Sequence, residues 1–156
     1  MLFPGGFIPV LVSLWLSGPS TSLSSPGYSP APDLLLGTFM DDYGIGYEIT
    51  DTSWALGGRD RYHIVAWDDS AGFLVARNGA NNVEHPGKWT RIDWVRLEGM
   101  PPYEWAFCLI EYSAETRASA EANSTADRAN PRKGCNGFPF SRMRRVAADS
   151  IPRAGY

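Results

Sequence analysis

The residues best suited to chemistry sit inside aromatic segments. Trp89-Thr90-Arg91-Ile92-Asp93-Trp94-Val95 is one such run. An extended chain turns successive side chains to opposite faces. Trp89, Arg91, Asp93 and Val95 therefore share one face, and Thr90, Ile92 and Trp94 the other. By the same period, Phe39, Asp41, Tyr43, Ile45 and Tyr47 align, as do Phe73, Val75 and Arg77. Buried charge is costly unless paired, and Arg91 has Asp93 and Asp41 as candidate partners. Turned inward, these faces make an apolar pocket with few polar groups, as small-molecule sites have. Asp41, Tyr43, Trp89, Arg91 and Asp93 are then the ligand contacts. Turned outward, they form a ladder of cross-strand charge pairs, each contributing under about 1 kcal/mol.

Signatures of catalysis are missing from the sequence. It has no G-x-S-x-G elbow, H-E-x-x-H pair, P-loop or dinucleotide-binding glycine fingerprint. Two histidines argue against a His-based metal cage; His63 reads as a half-buried strand residue and His85 as a turn residue. Neither metal nor cofactor is called for. Asp41-Asp42 and Asp68-Asp69 are carboxylate neighbours whose side chains diverge along a strand. A glycosidase needs two converging carboxylates. Asp41 and Asp93 could converge across a barrel, but nothing in the sequence requires it, so a carboxylate-based hydrolase is the least favoured reading.

The segment Gly37-Thr38-Phe39, followed by Gly44, Tyr47, Ile49 and Thr50, resembles the opening of calycin barrels. Lipocalins open on G-x-W, and avidins on G-T-W with a later glycine, a second aromatic and an aliphatic-Thr close. Phe39 stands here in place of the tryptophan. Asp41 stands where avidins place a ligand-contacting Asn, and Ile45 where they place a ligand-contacting Ser. The resemblance covers residues 37–50 and implies an up-and-down barrel with a ligand-binding interior.

The elements that must position these residues are strands. Gly37–Thr50, Ser53–Leu56, Arg61–Asp68, Gly72–Asn78, Lys88–Leu97 and Tyr103–Tyr112 are rich in aromatic and β-branched residues with a period near two. Turn chemistry separates them at Gly57-Gly58, Asp68-Asp69-Ser70, Asn78-Gly79, Pro86-Gly87 and Pro101-Pro102. Such close spacing leaves no room for parallel crossovers. Gly44 and Gly46 mark a bulge or bend inside the first strand. Residues 114–130 are rich in helix formers and predict a surface helix with an alanine face inward, stopped by Pro131. The expected fold is all-β: an antiparallel up-and-down barrel or curled meander of six to eight strands, with one C-terminal surface helix. Gly134–Phe140 is a tight aromatic segment expected to pack back on the sheet.

Composition sets the remaining bounds. A chain of 156 residues with 44% hydrophobic and 20% charged side chains has room for one folded domain. Net charge −3 argues against a nucleic-acid binder. Charge is uneven, with −7 over residues 1–113 and +4 over 114–156. Arg142, Arg144 and Arg145 form the densest basic cluster, read as a solvated tail or as a site for an acidic partner. Phe7 to Leu16 is apolar and too short to span a bilayer; it suits a secretory signal within residues 1–19, although no Lys or Arg precedes it. Residues 20–34 read as a Ser/Pro-rich linker, 35–146 as the domain and 147–156 as a tail. Cys108 and Cys135 either pair in an oxidising compartment or remain two buried thiols. The functional expectation is a secreted or periplasmic, non-catalytic barrel that binds a small, partly apolar molecule. The alternative is an envelope or extracellular interaction module with a filled barrel.

Overall fold

The computed structural model describes residues 29–151. The expected signal-like segment 1–19 and residues 20–28 of the linker lie outside the described residues, as do residues 152–156. Eight strands follow one another as β1 (Gly37–Asp41), β2 (Gly46–Ile49), β3 (Ser53–Leu56), β4 (Asp60–Asp68), β5 (Phe73–Asn78), β6 (Trp89–Arg96), β7 (Trp105–Ala114) and β8 (Ser141–Arg145). Each pairs antiparallel with its neighbour in sequence, and β8 pairs with β1, so the sheet closes into an up-and-down barrel. Closure leaves no strand edge open for pairing with another chain. Among the described residues, no helix is long and apolar enough to cross a membrane.

Side chains fill the barrel interior, as eight strands allow. Phe39, Tyr47, Trp54, Trp105 and Phe107 are all buried and meet edge to face. The Trp54 and Phe107 ring centroids are 5.1 Å apart, and those of Phe39 and Trp105 are 5.2 Å apart. Edge-to-face contact places the positive rim of one ring on the negative face of the next. Ile49, Leu74, Ile92 and Met143 complete this core.

Arg145 locks the barrel's closure to its amino-terminal cap. Its guanidinium lies 4.7 Å over the Phe39 ring and donates to the Leu36 carbonyl at 2.8 Å and the Leu34 carbonyl at 3.3 Å. The 3-10 turn Asp33–Leu35 buries Leu35 in the same core. This contact explains Gly37, which has φ +130° and whose absent Cβ would sit 2.5 Å from Arg145 Nη1. The linker expected over 20–34 is thereby shortened. Ser29 bonds the Trp67 carbonyl, and Leu34 packs on the core, so residues 29–34 belong to the domain.

Several expected boundaries move. The single strand expected over Gly37–Thr50 is a hairpin. Gly44, at φ +83°, allows a tight turn between β1 and β2, the bend rather than the bulge of the two expected there. Bulges fall instead between Ile64 and Ala66 in β4 and near Arg91 in β6. The expected helix over 114–130 is one short helix, α1 (Arg117–Ala122). Thr116 and Ser119 form a capping box at its start. At its end, the Asn123 side chain accepts from the Thr125 backbone, a local bond that competes with helix continuation. Ala120 is fully buried against β5 and β6, as the alanine face requires. Residues expected to form part of a solvated basic tail are strand β8, which closes the barrel.

Cys108 and Cys135 form a disulfide, with Cα atoms 5.5 Å apart. It ties the segment after α1 to the outer wall. There Phe140, Cys108, Ala106 and Ile110 make a second apolar layer outside the barrel.

Candidate functional site

The five residues expected to share a pocket are divided between three places. Asp41 is buried at the end of β1 and is consumed by the β1–β2 turn. Its Oδ1 accepts from the Tyr43 and Ile45 backbones at 2.9 and 2.8 Å, and its Oδ2 accepts from the Tyr47 hydroxyl at 2.9 Å. A carboxylate with three donors organises the turn and has little left for a ligand. Tyr43 stands on that turn, 69% exposed.

Trp89, Arg91 and Asp93 lie on the outer wall. Ile92 of the same strand points into the core, so its neighbours Arg91 and Asp93 point outward. They are nevertheless buried, because α1 and the segment behind it cover this wall. Arg91 grips Asp93 with two parallel bonds, Nε to Oδ2 at 2.8 Å and Nη2 to Oδ1 at 2.9 Å. Its Nη1 donates to the Glu121 carbonyl at 2.5 Å, and its guanidinium lies 3.8 Å over the Phe73 ring. A cation thus satisfies a carbonyl in the last turn of α1. The pair is a latch between helix and barrel, and the inward-facing pocket expected around it is not formed. Trp89 packs beside it, with the Arg77 guanidinium 5.9 Å from its ring.

Asp41 and Asp93 also answer the hydrolase reading. One carboxylate is inside the barrel wall and the other outside it, so they cannot flank one bond.

The interior pair has a pH consequence. Burial, and then the Asp41 charge, pushes the Tyr47 phenol well above its ordinary 10.0. The folded state therefore holds this proton more tightly than the unfolded state. That stability is complete below pH 10 and is lost as the pH rises further. Tyr47→Phe should cost about 1 kcal/mol near pH 8 through the lost hydrogen bond. Above pH 10 its deficit should shrink by up to about 1.4 kcal/mol per pH unit. Urea unfolding of both proteins at about pH 8 and about pH 11 checks this, and a deficit that grows with pH contradicts it.

The three arginines of β8 do not form one patch. Arg145 is spent on the cap described above. Arg144 Nη2 rests 3.1 Å from the Met40 sulfur, a weak acceptor. Arg142 meets Asp42 twice, backbone N to Oδ1 at 3.1 Å and Nε to Oδ2 at 2.8 Å, and lies 4.7 Å over the Tyr103 ring. The Asp42 bond holds the Arg142 guanidinium more firmly protonated than usual. Its two terminal nitrogens bond no group among the described residues.

Beside Arg142 a half-open cleft of about 610 Å³ runs along the outer wall. Tyr43, Leu97, Met100 and Phe140 give it apolar sides, and Arg132 and Arg142 give it charge. Arg132 is exposed and pairs with no acidic group among the described residues. Of the five expected ligand contacts only Tyr43 lies here, and it meets Arg142 of the basic cluster and its partner Asp42. Met100 and Arg132 were missed. The aromatic segment around Phe140 was the one signal that pointed to this wall.

Among the described residues, no group of three His, Cys, Asp or Glu side chains could hold a metal ion. Fold and site together define a closed, aromatic-filled eight-stranded barrel with a cationic cleft on its outside. No family model matches the chain, and no curated protein or solved structure matches it.

Proposed function

We propose that this protein is an exported, non-catalytic binding module that takes a partly apolar, acidic molecule on its outer wall. The observation carrying this reading is the cleft. It pairs apolar walls with two arginines against one carboxylate, Asp42, already engaged. Its volume lies within the ~300–1,000 Å³ usual for small-ligand sites. An aromatic core occupies the barrel's interior, which supports a site on the outside over the expected one inside. The disulfide supports export, because such bonds persist in oxidising compartments. A calycin-like character is part of the proposal. Its support is Gly37-Thr38-Phe39 opening the first strand of a closed up-and-down barrel.

Anilinonaphthalene sulfonate, an apolar aromatic anion, tests the reading. It should bind saturably and fluoresce. Arg142→Ala should weaken it about tenfold, the scale of one hydrogen bond to a charged group. Arg132→Ala, at an exposed side chain, should weaken it by a smaller factor without touching the fold. Unchanged titrations in both variants would remove the cleft from the account.

A further inference from the structure

We infer that the mouth of the barrel beside the β5–β6 connection is a binding site for a small organic cation of the alkylammonium class. A cavity of about 180 Å³ opens there, lined by Tyr62, Asn78, Glu84, His85, Leu109 and Tyr112. Three separate elements supply its rings: β4 gives Tyr62, β7 gives Tyr112, and the connection gives His85. The His85 and Tyr112 ring centroids are 5.3 Å apart, with the rings tilted by 46°.

The arrangement is held in place. His85 has φ +49°, a left-handed conformation that few non-glycine residues adopt and that a local constraint favours. Buried Asn78 supplies that constraint. Its Nδ2 donates to the His85 and Tyr112 carbonyls, both at 2.9 Å, and its Oδ1 accepts from the Thr90 hydroxyl. The amide is thereby spent on the backbone at two of the three ring-bearing residues and has little left for a ligand.

Charge selects the occupant. Glu84 has no ion pair among the described residues, and Asp60 stands close enough for both carboxylates to act on the Tyr62 phenol. The nearby cations are engaged elsewhere. Lys88 pairs with Glu115, Arg77 lies over Trp89 and bonds the Gly87 carbonyl, and Arg61 bonds the Ser53 hydroxyl. The electron-rich rings of Tyr62 and Tyr112, beside the unpaired Glu84 carboxylate, attract a cation with a greasy surface. The volume is below the ~300–1,000 Å³ of drug-sized sites, which limits the occupant to a head such as tetramethylammonium or choline. This site is separate from the outer cleft and does not rest on the function proposed for it.

Proton NMR of the aromatic side chains tests the inference, with choline as the probe and its neutral isostere 3,3-dimethylbutanol as the control. Choline should shift the Tyr62, His85 and Tyr112 ring signals saturably, and the alcohol should not. Tyr112→Ala, at a half-exposed position, should weaken choline about fivefold, and Glu84→Gln by a similar factor. Far-ultraviolet circular dichroism confirms that each variant keeps its fold. No saturable shift with choline, an equal response to the alcohol, or undiminished binding by both folded variants would overturn it.

Discussion

Arg91→Ala should destabilise the fold by about 3–5 kcal/mol, because it leaves a buried charge without its partner. Asp93 is 2% exposed, and both its oxygens are bonded by Arg91. The same substitution strips the Glu121 carbonyl of its donor and removes the cation over Phe73. Small domains hold only about 5–15 kcal/mol in total, so the loss is a large share. Replacing both charges, Arg91→Met with Asp93→Leu, should restore most of it, since a buried pair gains little over well-packed apolar groups. Urea denaturation of the three proteins separates the cases. A single variant within about 1 kcal/mol of the parent would show that water reaches Asp93 and that the latch is not closed. Hydrogen exchange gives the local signature, with α1 losing protection before the strands do.

Opening the disulfide should cost about 3.5 kcal/mol in the chain-entropy treatment, given the 27-residue separation of Cys108 and Cys135. The effect has two levels. Thermodynamically, the unfolded chain regains the freedom of a long loop. Structurally, the segment carrying Pro131 and Phe140 is freed from the outer wall, and both residues line the cleft. The double variant Cys108→Ala/Cys135→Ala should therefore lose stability and also bind the anionic probe more weakly than the parent under matched folded conditions. A loss of stability with unchanged probe binding would mean that Phe140, packed on Ala106 and Ile110, holds the cleft wall without help from the disulfide.

The sequence revealed strands more reliably than faces. β3 was read at its true bounds, and β4 to β7 were read within one or two residues, because aromatic and β-branched runs alternate there between clear turns. β8 was hidden because four of its five residues are polar, and only Met143 enters the core. Nothing in Ser141-Arg142-Met143-Arg144-Arg145 distinguishes a closing strand from a basic tail until its two neighbours are in place. The direction of the Arg91–Asp93 face was illegible for a different reason. β6 is covered on both sides, by the core inside and by α1 with its following segment outside. When both faces are buried, hydrophobic alternation carries no information about which one is the interior. In β4 a bulge at Val65 hides the faces in another way, since it shifts the inward side chain from Ile64 to Trp67 and breaks the period of two.

The candidate cleft was still harder to read. Tyr43, Met100, Arg132 and Phe140 come from a turn, a loop and the disulfide-tethered segment, and no local pattern joins them. Asp41 shows the converse error. Its place within the calycin-like opening suggested a ligand contact, yet its oxygens cap the β1–β2 turn and hold Tyr47. Short polar side chains at strand ends serve the backbone more often than a ligand.

A filled barrel of this kind should bind on its outer wall. Methyl-labelled methionine NMR tests it most directly, because Met100 lines the cleft and Met143 sits fully buried in the core. With anilinonaphthalene sulfonate added, the Met100 methyl should shift saturably while Met143 and the Trp54 and Trp105 indole signals stay in place. Saturable shifts at Met143 and Trp105 with Met100 unmoved would put the ligand inside the barrel and contradict it.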